Sequence, residues 1–349
     1  MAYQLSITED NKGDPLAETE EEMRLIKSNG LRYLILAADN GHIEAQFELG
    51  KHYINAIILP LDISKGFQYI TLSAKNGNTD AMVYLAIAYR EGSTVKKNNE
   101  QSIYWFKALL EINPNETRVM VELAKTYWSE NKLIDAAKYF AMAGELGSKF
   151  ASILAVKAYT LLGEIFKYED FDYAFENYQN ALRWNYEILN DDSDDTYKNE
   201  CIENLPQIQL GLGTILFFKE DKGDARPYLE RSSRAGLKFA DVLLAEMEIV
   251  EMIAQGQPLY ALSNPFNRMY NAIYNGNAVF SPDEICLFNC FFAEKLLFGY
   301  GAERNDNTAY QYYSIAASQN SRFSDMAKRE LQKFRLNAYG SYEYIHNQG

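Results

Sequence analysis

Large aromatic residues recur at a fixed interval in the first third of the chain. Tyr33, Tyr69 and Trp105 lie 36 residues apart. Each is followed eight positions later by a turn residue, and these are Gly41, Gly77 and Asn113. A fixed period of about 20 to 50 residues is typical of stacked repeat units, each of which buries its apolar face only against its neighbours. The interval therefore predicts a repeat protein whose function depends on a surface.

Apolar side chains at four-residue steps indicate that each unit begins with a helix. Ala45, Leu49, Tyr53 and Ile57 recur at the spacing that places side chains on one face of a helix. After a loop, a second helix ends at Gly77, where glycine accepts the left-handed conformation that terminates helices. Each unit is thus predicted to be a pair of helices.

Residues near the end of the chain resemble a known repeat, the Sel-one-like repeat (SLR) of the tetratricopeptide superhelix. The residues that follow its consensus are Gly299, Gly301, Ala302, Asn305, Ala309, Tyr312, Ala316, Ala317 and Asn320. An earlier copy matches through Asp62, Lys65, Gly66, Tyr69, Ser73, Ala74 and Gly77. The copy that contains Trp105 departs from the consensus, because Thr94 replaces a glycine and Leu109 and Leu110 replace an alanine pair.

The middle of the chain is similar to the tetratricopeptide pattern itself. The matching residues are Pro114, Leu123, Ala124, Tyr127, Ala136, Phe140 and Ala143. Further units are expected near residues 150–185, 204–236, 238–277 and 282–320.

The resemblance implies an all-α fold, a right-handed solenoid of antiparallel helix hairpins. We expect a single solenoid of seven to eight helix pairs over residues 23–336, with an acidic linker over residues 188–200. An acidic, partly disordered leader is expected over residues 1–22 and a loose tail over residues 337–349. A terminal helical cap is expected to present an apolar face of Met326, Leu331, Phe334 and Leu336.

Small and aromatic residues have different predicted roles in the packing. Two helices approach within about 8 to 10 Å only where side chains are small, so Ala38, Ala45, Ala74 and Ala81 are the expected contact points. The periodic aromatics are expected to fill the volume between neighbouring hairpins.

Composition limits the class of partner and the cellular location. The formal net charge is -14, which disfavours binding to nucleic acid or to an anionic membrane and suits a basic partner. No run of about 18 apolar residues could span a membrane, and the first residues lack the features of a secretory signal. We expect a cytoplasmic protein, with signal-independent export left open. The sequence does not indicate an oligomeric state.

Neither a catalytic site nor a metal or cofactor site is predicted. Cys286 and Cys290 lack further Cys or His partners at short spacing, so a reduced, buried pair is expected. The acidic residues 190–195 lack the glycine of a calcium loop and suit a flexible linker better. His42 lies in a turn between helices, and Gly211 and Gly213 lie in a helical run and not between a strand and a helix.

The tetratricopeptide resemblance implies which side chains face a concave groove lined mainly by first helices. They are Phe47, Lys51 and Ile54 in the first unit, Val83 and Arg90 in the second, and Arg118, Lys125 and Trp128 in the middle unit. The same offsets include Glu44, Asn55, Asp80, Ile87, Val121 and Ser129. The basic side chains suit a carboxylate or an acidic segment of a peptide. Trp128 alternatively completes the packing between adjacent units.

Three functions remain open at the level of sequence. The first is a non-enzymatic scaffold or adaptor that binds a protein or an extended peptide in the groove. The second is a regulatory receptor for a small peptide. The third is an immunity protein that neutralises a toxin or secreted effector, for which the acidic surface would matter most.

Overall fold

The structure is a computed structural model that describes residues 20–193, 195–275 and 279–345, with side chains from residue 28 onward. These residues form sixteen α-helices, one 3₁₀ helix and two short strands. The first eight helices are α1 (Glu20–Asp39), α2 (Ile43–Asn55), α3 (Ile63–Lys75), α4 (Thr79–Glu91), α5 (Asn99–Ile112), α6 (Thr117–Ser129), α7 (Leu133–Glu145) and α8 (Lys149–Phe166). The next five are α9 (Phe171–Leu189), α10 (Lys198–Phe218), α11 (Lys222–Arg234), α12 (Lys238–Ala254) and α13 (Ser263–Tyr274), with the 3₁₀ helix Leu259–Leu262 before α13. The last elements are α14 (Pro282–Phe298), α15 (Asp306–Ser318), α16 (Ser324–Leu331), β1 (Phe334–Leu336) and β2 (Tyr342–Tyr344).

The helices pack as consecutive hairpins, which confirms the predicted all-α solenoid of helix pairs. Residue contacts divide the chain into two compact units, residues 1–158 and residues 159–349, with the boundary inside α8. The single solenoid over residues 23–336 therefore stays a prediction, and the units are described separately.

Unit 1 contains the helix pairs α2/α3, α4/α5 and α6/α7, and α1 packs against α2. Glycines end several helices in the left-handed conformation, with φ of +88° at Gly41 and +98° at Gly77. At the equivalent turn of the following unit, Asn113 has φ of -131°, so this helix does not end in the left-handed conformation. His42 is the N-cap of α2, because its Nδ1 accepts from the amide of Ala45.

Small residues lie where the helices of unit 1 approach each other, as predicted. Ala38, Ala45, Ala74 and Ala81 are all buried. The closest approach in the α2/α3 hairpin uses two glycines, because a Cβ on Gly66 would lie 2.7 Å from the carbonyl oxygen of Gly50. This backbone contact leaves no room for any side chain on Gly66.

The three periodic aromatics differ in burial. Trp105 is 5% exposed, as expected for a core residue. Tyr69 stacks on Tyr53 with ring centroids 6.1 Å apart, and its hydroxyl donates to Asp39 at 2.7 Å. Tyr33, by contrast, is 61% exposed, so its predicted core position is wrong.

Unit 2 is built from longer helices around a larger aromatic core. Tyr178 of α9 is fully buried against Gly163 of α8 and Gly211 of α10, where an added Cβ would overlap its ring. Gly213 packs in the same way against Leu229 of α11. The glycine pair thus lies inside a helix, as predicted, and serves close packing.

One loop of unit 2 returns to the beginning of the unit. Arg322 lies in the turn between α15 and α16, and its guanidinium donates to the carbonyl oxygen of Ile165 at the end of α8. Phe323 packs edge-on against Tyr168, with ring centroids 5.0 Å apart. Asp283 accepts from the backbone amide of Arg322 at 3.0 Å and from the hydroxyl of Ser321.

The end of the described chain corrects two expectations. The predicted helical cap ends at Leu331, and Phe334–Leu336 forms a strand that pairs antiparallel with Tyr342–Tyr344. Met326 and Leu336 are exposed, so they do not share a buried face with Leu331 and Phe334.

The described part of the tail is docked and not loose. The amide of Tyr344 donates to Asp306 at 2.9 Å, and the ring of Tyr342 stacks on Tyr310 at 3.5 Å. The turn forms because the side chain of Asn337 accepts from the amides of Tyr339 and Ser341. Residues 346–349 of the predicted tail lie outside the described residues.

Two acidic segments also differ from expectation. The linker is shorter than residues 188–200, because α9 ends at Leu189 and α10 begins at Lys198. Its turn includes a hydrogen bond from the amide of Ser193 to Asp191 at 2.9 Å. Helix α1 begins at Glu20, inside the predicted leader, whose residues 1–19 lie outside the described part of the chain.

Candidate binding groove of unit 1

A cavity of about 530 Å³ lies between the first helices of two successive hairpins, α4 and α6. Helix α5 closes it from below. The lining residues are Thr79, Asp80, Val83, Ile87, Arg90, Glu91, Phe106, Leu109, Asn113, Glu116, Arg118, Val119 and Glu122. Ligand pockets in proteins commonly enclose about 300 to 1,000 Å³, so this cavity is large enough for several side chains of a partner.

The floor of the cavity is apolar. Phe106 and Leu109 of α5 and Val119 of α6 are buried, whereas Val83 and Ile87 of α4 are partly exposed. Val83 and Ile87 lie one helical turn apart, so both side chains are on the same face of α4. An apolar side chain of a partner would lose contact with water when placed on these two residues.

The rim of the cavity is charged, with carboxylates from Asp80, Glu91, Glu116 and Glu122 and guanidinium groups from Arg90 and Arg118. Arg118 and Asp80 are exposed. Glu116 precedes α6, and its carboxylate accepts from the side-chain amide of Asn113 at 3.3 Å.

Glu122 is the centre of a charged network between two hairpins. It accepts from the guanidinium of Arg90 on α4 and from the ammonium of Lys125 on its own helix, the latter at 2.9 Å. Burial alone would raise the pKa of Glu122, but the hydrogen bonds from Lys125 and Arg90 hold this pKa below its ordinary value. Glu122 is therefore an ionised carboxylate that neutralises part of the positive charge at the cavity.

Three of the eight predicted groove residues, Val83, Arg90 and Arg118, line this one cavity. The other five do not line it. Phe47, Lys51 and Ile54 lie on α2, and Lys125 and Trp128 lie on α6.

The five remaining residues make contacts within unit 1. Phe47 packs edge-on against Tyr84, and the ammonium of Lys51 lies over the ring of Phe47 while it pairs with Glu48 at 2.6 Å. Ile54 packs toward its own hairpin, since a Cβ on Gly66 would lie 2.6 Å from its Cγ1.

The residues of α6 outside the cavity also pack locally. Trp128 packs against Phe140 of α7, with ring centroids 6.2 Å apart, so this contact lies within its own helix pair and not between adjacent units. The ammonium of Lys125 lies over the ring of Phe150 at 5.2 Å. Val121 is buried, so its expected position in the groove is wrong.

The sequence reasoning missed Glu122, Phe106 and Leu109. Phe106 follows the periodic Trp105, so it belongs to the second helix, whereas mainly first helices were expected to line the groove. Glu122 is one of 48 acidic residues, and its contact with Arg90 depends on how α4 and α6 are placed side by side. No signal in the sequence separates it from the other carboxylates.

Residues 20–193, 195–275 and 279–345 also show where other classes of site are missing. Over these ranges no group of three or more His, Cys, Asp or Glu side chains is placed to hold a metal ion. Cys201, Cys286 and Cys290 are free thiols and are buried. In the described part of the chain, every helix is too short or too polar to cross a membrane.

Comparison with known proteins supports the repeat assignment. A profile described as "Sel1 repeat" matches residues 27–42, 43–78, 79–109 and 294–321. The cavity lies in and just after the third of these segments. No curated protein matches the chain.

Solved structures with low similarity include two of the same repeat type. A Sel1 repeat protein from Oxalobacter formigenes is 15% identical, with 95% of this chain and 85% of that chain covered and a TM-score of 0.38. The protein c5321, a protective antigen of uropathogenic Escherichia coli strains with an SLR fold, is 15% identical, with 95% and 77% covered and a TM-score of 0.34. A tetratricopeptide repeat protein from Parabacteroides merdae is 11% identical, with 83% and 97% covered and a TM-score of 0.30.

The profile matches confirm the resemblance that the periodic residues first indicated. Sel1 repeats are, in general, modules of protein–protein interaction scaffolds. Four segments of this chain match the Sel1 repeat, three of them consecutive over residues 27–109 and one over residues 294–321 in unit 2.

Proposed function

We propose that this protein is a non-enzymatic scaffold that binds a segment of a partner protein in the cavity between α4 and α6. The observation that carries the proposal is the combination of an apolar floor, Val83 and Ile87, with charged groups around it. Binding hot spots combine a desolvated apolar anchor with surrounding polar contacts.

The position of the cavity supports the same function. Stacked helix pairs present their first helices on a shared surface, and extended segments bind to such surfaces in repeat proteins. The cavity joins two successive repeats, so a bound segment would contact both α4 and α6 and extend along the row that includes Phe47 and Lys125.

Affinity capture with a matched pair of variants tests this function. The variant Val83→Ala with Ile87→Ala removes two aliphatic groups from the floor of the cavity. Its control, Ile134→Ala with Met142→Ala, removes two exposed apolar groups of α7 outside the cavity. Circular dichroism verifies that both variants keep the helical fold.

Partners recovered from the native cell with the intact chain are identified by mass spectrometry. The proposal expects their recovery to fall with the cavity variant and to persist with the α7 variant. Equal recovery with the intact chain and the cavity variant would contradict the proposal.

A receptor for a free short peptide is the second candidate, because the enclosed volume suits a few side chains better than a folded domain. The two functions differ in one measurement. A receptor gains thermal stability when the short peptide is added, by the mass-action effect of a ligand that binds only the folded state. A scaffold also binds a short peptide with the sequence of the segment, but it recovers the whole partner protein in the affinity capture, which a receptor for a free peptide does not.

A further inference from the structure

We infer that the segment bound in this cavity carries a positively charged side chain next to an aliphatic one. The inference rests on the proposed function and specifies the chemistry of the partner. It follows from which charged side chains at the cavity already form ion pairs within the protein and which do not.

The predicted cations of the groove are mostly used internally. Arg90 and Lys125 both contact the carboxylate of Glu122, and Lys51 pairs with Glu48. A carboxylate of a partner would have to compete with these internal carboxylates. Three of the four cations that were expected to bind an acidic segment are therefore already paired within the protein.

The carboxylates at the rim are less fully paired. Within the described residues, Asp80 has no ion pair, and the hydrogen-bond partner of Glu116 is the uncharged amide of Asn113. Glu91 reaches Arg90 only at 3.9 Å. Arg118 is the one lining cation without an ion pair among the described residues, and it stands against these three carboxylates.

A lysine or arginine side chain matches both parts of this surface. Its aliphatic stem covers apolar surface while its charged end stays in a polar environment. Here the stem would lie on Val83 and Ile87, and the charge would reach Asp80 or Glu116. A neighbouring aliphatic side chain of the same segment would fill the deeper floor at Phe106 and Leu109.

The charge of the whole chain acts in the same direction. With a net charge of -14, the protein attracts basic partners over distances longer than a direct contact. Such steering raises the rate of association and falls with increasing ionic strength.

Selection of random peptides on the purified full chain tests the inference. Peptides displayed on phage are selected, sequenced and synthesised, and their dissociation constants are measured against three variants. Asp80→Asn with Glu116→Gln removes two rim carboxylates, and Arg118→Gln removes the unpaired cation. The control, Asp135→Asn with Glu145→Gln, removes two exposed carboxylates of α7 outside the cavity.

The inference predicts that the selected peptides are enriched in Lys or Arg next to aliphatic residues. Their affinity should fall about three- to tenfold with the rim variant, as expected for two partly exposed charge pairs. Arg118→Gln removes a positive charge beside the bound cation, so it should raise the affinity by up to about threefold, and the control should change the affinity by less than about twofold.

Two other results would overturn it in distinguishable ways. Enrichment of acidic peptides that lose affinity with Arg118→Gln would refute the basic partner and leave the proposed function intact. Selected peptides that bind all cavity variants equally, or a selection that enriches no sequence, would refute both the inference and the cavity as the binding site.

Discussion

The guanidinium of Arg322 donates to the carbonyl oxygen of Ile165, a residue 157 positions earlier in the chain, at 3.4 Å. The same side chain pairs with Glu169 at 3.2 Å, and the adjacent Phe323 packs on Tyr168. In an ideal repeat array each unit contacts only its neighbours. This contact instead joins the end of α8, at the beginning of unit 2, to the turn between α15 and α16 near its end. We therefore expect unit 2 to unfold as a whole and not progressively from its ends.

Replacement of Phe323 by Ala should weaken this closure. The ring is partly buried, so we expect a loss of about 2 kcal/mol in the free energy of unfolding, roughly half the cost of deleting a fully buried Phe. Hydrogen exchange on the full chain should become faster at the end of α8 and the end of α10, with α2 to α4 unchanged. Arg329→Ala, an exposed change on α16, is the control. If exchange at the end of α8 is the same in all three proteins, the contact does not close the unit.

The periodic aromatics give a prediction in which one repeat position serves as the control for another. Trp105→Ala should cost about 3 to 5 kcal/mol, because the indole is buried in unit 1. Tyr33→Ala changes the equivalent repeat position, but the ring removed there is exposed. The loss in the free energy of unfolding should therefore be less than about 1 kcal/mol. Urea denaturation measures both. Equal shifts of the two midpoints would show that the exposed fraction of the aromatic ring does not determine how much stability its removal costs.

Close packing of the α2/α3 hairpin predicts the sign of a glycine substitution. Ala has a higher helix propensity than Gly by about 1 kcal/mol, which alone would make Gly66→Ala stabilising. The added Cβ would lie 2.7 Å from the carbonyl oxygen of Gly50, so we expect a net destabilisation of about 1 to 3 kcal/mol. Gly223→Ala, on α11, is the matched control, since its Cβ meets no atom within 4 Å. A thermal melt in which Gly66→Ala is the more stable of the two would disprove the close contact.

The network around Glu122 predicts a dependence of stability on pH. Its folded-state pKa lies below the ordinary value, so its contribution to stability is present above about pH 4.3 and is lost as the pH falls through the folded-state pKa. Glu122→Gln should therefore be less stable than the intact chain at pH 7, by about 1 kcal/mol. This difference should shrink in urea denaturation below about pH 4. Glu145→Gln, an exposed carboxylate of α7, should follow the intact chain at every pH. A difference that stays constant down to pH 3 would show that charge at Glu122 is not its cause.

Local patterns allowed much of the fold to be predicted from sequence. The turn at Gly77 and the contacts at Ala45 and Ala81 depend only on helix periodicity and side-chain size, so their spacing suffices. Val83, Arg90 and Arg118 were also placed together by the repeat offsets, because those offsets follow from the stacking of identical helix pairs.

The remainder depends on contacts between residues far apart in sequence. The pairing of Arg90 with Glu122 follows from the placement of two hairpins side by side. The docked strand of Tyr342–Tyr344 similarly requires Asp306 at the start of α15. Periodicity within one unit carries no information about such contacts.

Site-specific photocrosslinking tests the central claim, that the cavity between α4 and α6 holds a partner segment. A photoreactive amino acid is placed at position 118 in one protein and at position 134, on an exposed face of α7, in another. After affinity capture and irradiation, the account predicts that partner peptides are crosslinked at position 118 and absent at position 134. Partner peptides crosslinked at position 134 and absent at position 118 would contradict it.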